Sequence, residues 1–459
     1  MLILSFSVLL AIVFAINLLY LRAKREDGLA LPYIAIGVFA YLYLVQPLYL
    51  WRLDTLDLFL TPTQTAKGMA AAAVSLSCFT FGWCRSKNAR RALTTPANWQ
   101  SQSLWTAGAI AALCGMALLV VFLRKSGGIA EAFSKPHGAA MAWEETTAYL
   151  YLSPWWIVAG LAMMTLSFRD LSFSGWRKYV TLAFNAAMIV YALLMASRGF
   201  LFAVLGISLC CYYILRRRLL PLSKLVAFLL TVAVSVSLVL GYRTVLHLGD
   251  ETEMPALNQA LTKMVEVDDA HSRLRATGVE FVFHSALIDS VDHYWQLHWG
   301  VQWVYVYTVH LIPRIVWPDK PYSFESDGVT YDDILQHTGI IISRGSAPGI
   351  VADIYSNFGP FGFLFFYFFG VVSKRLFLKA RSQRSPLSCT AYALFFALSL
   401  NAFAQGFGAI LVPFPYALAP AVVYHVLTME RKRRRVAQPY SVGLMDSYGE
   451  RRRNDWSLG

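Results

Sequence analysis

Residues 2–25 read LILSFSVLLAIVFAINLLYLRAKR, an uncharged apolar run closed by Arg22, Lys24 and Arg25. A secretory leader carries its positive residues first and a small-residue cleavage site behind the apolar run. Here the charge comes last, so the stretch predicts a first membrane helix with a short outer N-terminus and a cytoplasmic basic end. The same alternation continues along the chain. Apolar runs predict further spans over 31–51, 67–84, 104–123, 149–167, 178–196, 199–215, 224–241, 350–372, 387–406 and 408–428. The loops around 22–30, 85–103, 168–178, 216–224 and 373–386, with the tail beyond 428, hold 27 of the 40 Lys and Arg and 7 of the 27 acids. The intervening loops hold the other 13 cations and 20 acids, so the net charge of +13 records sidedness and not affinity for nucleic acid.

Composition agrees with that reading. Mean hydropathy is +0.49, and only 15% of the 459 residues are charged, far from a soluble domain. Trp51, Trp83, Trp105, Trp155, Trp156 and Trp176 stand at the ends of apolar runs, as in a headgroup belt. Cys78, Cys84, Cys114, Cys210, Cys211 and Cys389 lie within apolar runs without metal or disulfide spacing, and read as small packing residues. The predicted fold is an all-α polytopic integral membrane bundle of about eleven helices with a large extracytoplasmic loop. It divides into an N-terminal bundle at 1–241, a periplasmic loop at 242–349, C-terminal membrane helices at 350–428 and a basic cytoplasmic tail at 429–459. A loop of that length is functional rather than incidental. Its polar part, Asp250–Ser272, predicts helix, and its aromatic part around 301–308, flanked by His298 and His310, predicts a helix lying at the interface.

Charge close to membrane helices marks candidate chemistry. Ser197-Arg198-Gly199 joins two apolar runs almost without a loop and holds Arg198 at the outer rim, unless it snorkels to lipid phosphate. Arg243 comes directly after the eighth span, and Arg314, Lys320 and Arg344 lie in the outer loop, where positive charge is otherwise depleted. Three prolines stiffen residues 311–321 around Arg314 and Lys320. A guanidinium fork matches two phosphate oxygens, so cations gathered at an outer face suit a lipid-borne pyrophosphate. The alternative is pairing of Arg314 and Lys320 with Asp319, Glu325 or Asp327. Asp353, Tyr355 and Asn357 enter the next span, either to orient a sugar hydroxyl or to cap and pack above a Pro-kinked helix.

The Ser-Arg-Gly hairpin at 197–199, Pro-Arg at 313–314 with Trp-Pro-Asp-Lys-Pro at 317–321, and Tyr-Ser-Asn-Phe-Gly-Pro-Phe-Gly at 355–362 resemble bacterial O-antigen polymerases, the Wzy-type oligosaccharide repeat-unit polymerases. The resemblance covers residues 180–375; beyond them it is one of architecture. It implies a glycosyltransferase of the bacterial inner membrane that moves a growing glycan from undecaprenyl pyrophosphate onto the next lipid-linked repeat unit. Arg198, Arg243 and Arg314 would contact the polyprenyl pyrophosphate. Membrane lipids, a flippase and a chain-length regulator would be its partners.

Such a donor is already activated, so the site must stabilise the leaving pyrophosphate and supply a base for the acceptor hydroxyl. Base candidates are His284, Asp289, Asp292, His293, His310 and Asp353, the first four within one helical stretch. Asp268-Asp269 and Asp332-Asp333 read as solvated acids, and neither a metal nor a cofactor is expected. Three other readings compete: a flippase for lipid-linked sugar, the related O-antigen ligase, and an export scaffold. A flippase needs cations along a crossing path, whereas these concentrate at one face.

Overall fold

A computed structural model of the chain describes residues 2–86, 99–125, 150, 152–169, 175–194, 198–216, 220–221, 223–227, 230–231, 234, 279–305, 308–309, 312, 317, 319, 328–340 and 347–437. The described residues form helices and connections, with no strand among them. The first half holds α1 (Leu2–Ala23), α2 (Leu31–Ala40), a π turn (Tyr41–Val45), α3 (Gln46–Arg52), α4 (Pro62–Arg85), α5 (Ser101–Lys125), α6 (Pro154–Ser167), α7 (Trp176–Leu194) and α8 (Arg198–Arg216). The second holds α9 (Val279–Tyr294), α10 (Val301–Tyr305), α11 (Tyr331–Thr338), α12 (Gly349–Phe358), α13 (Gly362–Arg381), α14 (Pro386–Gln405), α15 (Gly408–Leu411) and α16 (Pro413–Ala437).

Seven described stretches are long and apolar enough to cross a membrane: Ile3–Ala23, Leu31–Arg52, Ser101–Lys125, Gly199–Arg216, Gly349–Arg381, Pro386–Gln405 and Gly408–Glu430. The chain is thus an all-α multi-pass membrane protein. Of the other expected spans, α4 has 24 residues and α7 has 19, but both carry more Ala, Thr or basic residues, and α6 is apolar but only 14 residues long. Most of 224–241 lies outside the described residues. The π turn has a local cause. Pro47 lacks an N–H and its ring crowds the carbonyl four residues back, at Tyr43, so the helix widens there.

The separation of loops by charge has a spatial counterpart. At one end, Glu26 accepts from Lys374 and from the Trp83 indole at 3.2 Å. Asp27 accepts from the backbone N–H groups of Leu29 and Leu220 and pairs with Arg381 at 3.2 Å. The Trp99 indole donates to Gln383 O, and the Arg169 guanidinium lies 4.6 Å from the Trp99 ring. All five basic loops therefore meet at this basic end. Gly199 meets Asn401 at the opposite end, which also receives the start of α4 and the helices α9, α11 and α12.

The membrane helices of the two halves interleave. α13 packs along α4, α14 along α8, and α16 along α6, so the expected N- and C-terminal groups form one bundle in space. α4 and α13 are in backbone contact. A methyl on Gly370 would sit 2.2 Å from Phe79 O, and one on Gly82 would sit 2.0 Å from Tyr367 O. Small residues admit this approach, the usual way helices associate where lipid competes for apolar surface. The expected span at 350–372 is broken. Gly359 adopts φ 55, ψ −142, a conformation only glycine enters readily, and Pro360 comes next. α12 consequently doubles back, with Ile354 against Gly362, and α13 alone has the 20 residues of a crossing.

Candidate functional site

The opposite end of the bundle carries one concentrated polar cluster. α4 begins with a capping box, in which Thr61 N donates to Gln64 Oε1 at 2.9 Å and Gln64 N donates to Thr61 Oγ1 at 3.3 Å. The same Gln64 amide donates from Nε2 to Asp289 at 3.0 Å, so the cap also aims the side chain across to α9. One turn on, Lys67 Nζ pairs with Asp289 at 2.7 Å and with Asp292 at 3.2 Å. α11 presents His337, whose Nε2 lies 3.0 Å from Asp289 Oδ2. α12 presents the buried Tyr355, whose hydroxyl donates to Asp292 Oδ1 at 2.7 Å. His293 stacks on His337, with ring centroids 4.1 Å apart and planes at 17°.

Each carboxylate has a distinct task. Burial alone would raise the Asp289 carboxyl, but the hydrogen bonds from Lys67, Gln64 and His337 outweigh it and hold the group below the ordinary range. Asp289 is therefore an ionised anchor and a poor proton acceptor. A carboxylate can only accept, so His337 donates Nε2–H to that anchor and turns Nδ1 away from it, and the side chain is 21% exposed. A carboxylate that orients a partly open imidazole is the elementary unit of general-base catalysis. Asp292 is shared between Lys67 and Tyr355, which links the cluster to α12.

The expected site residues divide into three groups. Asp289, Asp292, His293 and Tyr355 come together in this cluster. His284 does not. It is fully buried, with Nε2 3.1 Å from Gly68 O and the Tyr43 ring 4.5 Å away, and burial pushes its imidazole down to about 4. It fills the α4–α9 contact as a neutral packing group. Asp353 and Asn357 are likewise occupied. Asp353 Oδ2 accepts from Phe407 N at 2.6 Å, and Asn357 donates to Asp353 O at 2.7 Å and accepts from Gly300 N at 3.1 Å. These bonds match the capping reading of 353–357, because they leave the pair little capacity for a sugar hydroxyl.

Arg243, Arg314, Lys320, Arg344 and His310 lie outside the described residues, as do Asp250–Ser272 and the acids considered as partners of Arg314 and Lys320, apart from Asp319. Arg198 is the first residue of α8, and Gly199 after it meets Asn401. The aromatic part of the long loop includes the five-residue α10, whose Trp303 packs on Phe358, Phe365 and Phe407. Among the described residues no group of three His, Cys, Asp or Glu could hold a metal ion.

Sequence reasoning missed Lys67, Gln64 and His337. For Gln64 and His337 a local signal existed. Pro62 at a helix start and the Thr330–Asp333 capping box announce two helices, and one end of each carries a cluster residue. The helices and their two chemically distinct ends define the class, a multi-pass membrane protein with a charged site at one end. No family model, curated protein or solved structure matches the chain.

Proposed function

We propose that the chain is a glycosyltransferase that polymerises polyprenyl-pyrophosphate-linked oligosaccharide units at the outer face of a bacterial cytoplasmic membrane. The observation that carries this reading is the Asp289–His337 pair, held by Lys67 and Gln64 at the end of the bundle away from the basic loops. His337 Nδ1 takes the proton of the acceptor hydroxyl as that oxygen bonds to the anomeric carbon. The bond from that carbon to the phosphate oxygen breaks, and the lipid pyrophosphate leaves with the electron pair. Arg198, Arg243 and Arg314, with Lys320 and Arg344, neutralise the departing charge. No metal is required. The basic end faces the cytoplasm, in keeping with the positive-inside bias.

The test is gene deletion in the source cell, complementation, and gel analysis of surface glycan. Deletion is expected to leave single repeat units on the surface lipid. Complementation with His337→Gln at equal protein level is expected to reduce chain extension by about a hundredfold or more. Free polymer beside bare core would indicate a ligase, and repeat units held on the cytoplasmic side a flippase. An unchanged ladder in His337→Gln would remove that histidine from the chemistry.

A further inference from the structure

The strip that joins α9 to α10 has an unusual backbone. Trp295 and Trp299 have φ of 52° and 51°, the left-handed region that bulky L residues rarely enter. The two residues are 57% and 63% exposed, while Leu297 and His298 between them are buried. The strip leaves α9 through the bond that closes that helix's last turn, and residues 298–300 are then held on α12. Trp295 N donates to Val291 O at 2.8 Å, His298 N to Ser356 O at 3.1 Å, Trp299 N to Asn357 O at 2.9 Å, and Gly300 N to Asn357 Oδ1 at 3.1 Å. Costly backbone persists where surroundings over-determine it, and such strain gathers at ligand sites. A headgroup-belt tryptophan needs no left-handed backbone and no such clamp.

The strip also lies next to the polar cluster. Trp295 follows the last residue of α9, three residues past Asp292, and its ring tip lies 3.9 Å from where a side chain on Gly359 would begin. An indole offers a flat apolar face of negative quadrupole with an N–H donor at its edge. The axial C–H bonds on one face of a pyranose ring are complementary to it, and the sugar hydroxyls remain free to be solvated. We propose that Trp295 and Trp299 form a carbohydrate-binding platform that holds pyranose units of the glycan beside the Asp289–His337 site, an inference that rests on the glycosyltransferase reading.

The platform is tested by calorimetric titration of the full-length protein in lipid nanodiscs. The probe is oligosaccharide released by mild acid from the source cell's own surface polysaccharide. W295L and W299L keep apolar bulk and lose the aromatic face, whereas W295F and W299F keep a face. Each Leu variant is expected to bind about five- to tenfold more weakly than wild type, and each Phe variant within about threefold of it. Leu variants that bind as tightly as the Phe variants, at equal thermal stability, overturn the platform and leave a headgroup anchor in its place. If deletion abolishes polymer while the Leu variants bind as wild type does, this inference fails and the glycosyltransferase stands. If deletion leaves polymer intact while the Leu variants bind weakly, the platform stands on a protein of another activity.

Discussion

At the scale of single residues, His284 and His337 show how one residue type takes opposite roles. His284 has a folded pKa of about 4, below the ordinary 6.5, because burial disfavours its charged form. Its depressed pKa adds stability that is complete above pH 6.5 and is lost as pH falls toward 4, where the unfolded chain takes up a proton the folded chain refuses. Thermal melts between pH 7 and pH 4 should therefore show a decline of up to about 3 kcal/mol, which His284→Gln flattens. Parallel curves for the two proteins would assign the decline elsewhere. His337 differs in being partly exposed and tied to a carboxylate. The sequence places His284, Asp289, Asp292 and His293 on one helical stretch, and they share α9. It does not tell which of them turn inward, because that depends on Gly68 and Tyr43, more than two hundred positions away. Lys67 is hidden for a related reason, since it opens an apolar run and meets its carboxylates only across the fold.

At the scale of elements, the boundaries of α1, α5, α8 and α14 fall within a few residues of the apolar runs that announce them. Their period and length are local properties and need no tertiary partner to be read. The stretch after residue 348 reads as one kinked span because hydropathy does not register a reversal. Gly359 and the N–H groups of residues 298–300 decide that turn, and they act from different parts of the chain. The α4–α13 contact makes a sharp demand. Gly370→Ala would place a methyl 2.2 Å from Phe79 O, so the helices must separate. We expect a loss of about 2 kcal/mol or more, read as a lower melting temperature in detergent, whereas Gly408→Ala, with nothing within 4 Å, should be almost silent. Equal melting of the two variants would contradict the close approach.

At the scale of the whole molecule, the basic end is locked by a buried ion pair. Lys374 and Glu26 are 3% and 6% exposed, and the Lys374 ammonium also lies 5.0 Å from the Trp83 ring centroid. Removing one partner strands a buried charge, so Lys374→Met should cost about 3–5 kcal/mol, and adding Glu26→Gln should restore most of it. A double variant no more stable than Lys374→Met would show that the charges are not coupled. The two ends can also be told apart directly. In a background lacking the native cysteines, Gln64→Cys should react with an impermeant maleimide added to whole spheroplasts, and Arg384→Cys only after lysis. The reverse pattern would invert the topology. The doubled-back α12 has a bearing on biogenesis. The ribosome delivers Gly349–Arg381 as one 33-residue apolar stretch, longer than a bilayer needs. The donors that hold the C-terminal carbonyls of α12, the N–H groups of His298 and Trp299, emerge earlier. The partners that hold α12 thus lie in chain made before it, and the 20 residues of α13 are by themselves enough for a crossing.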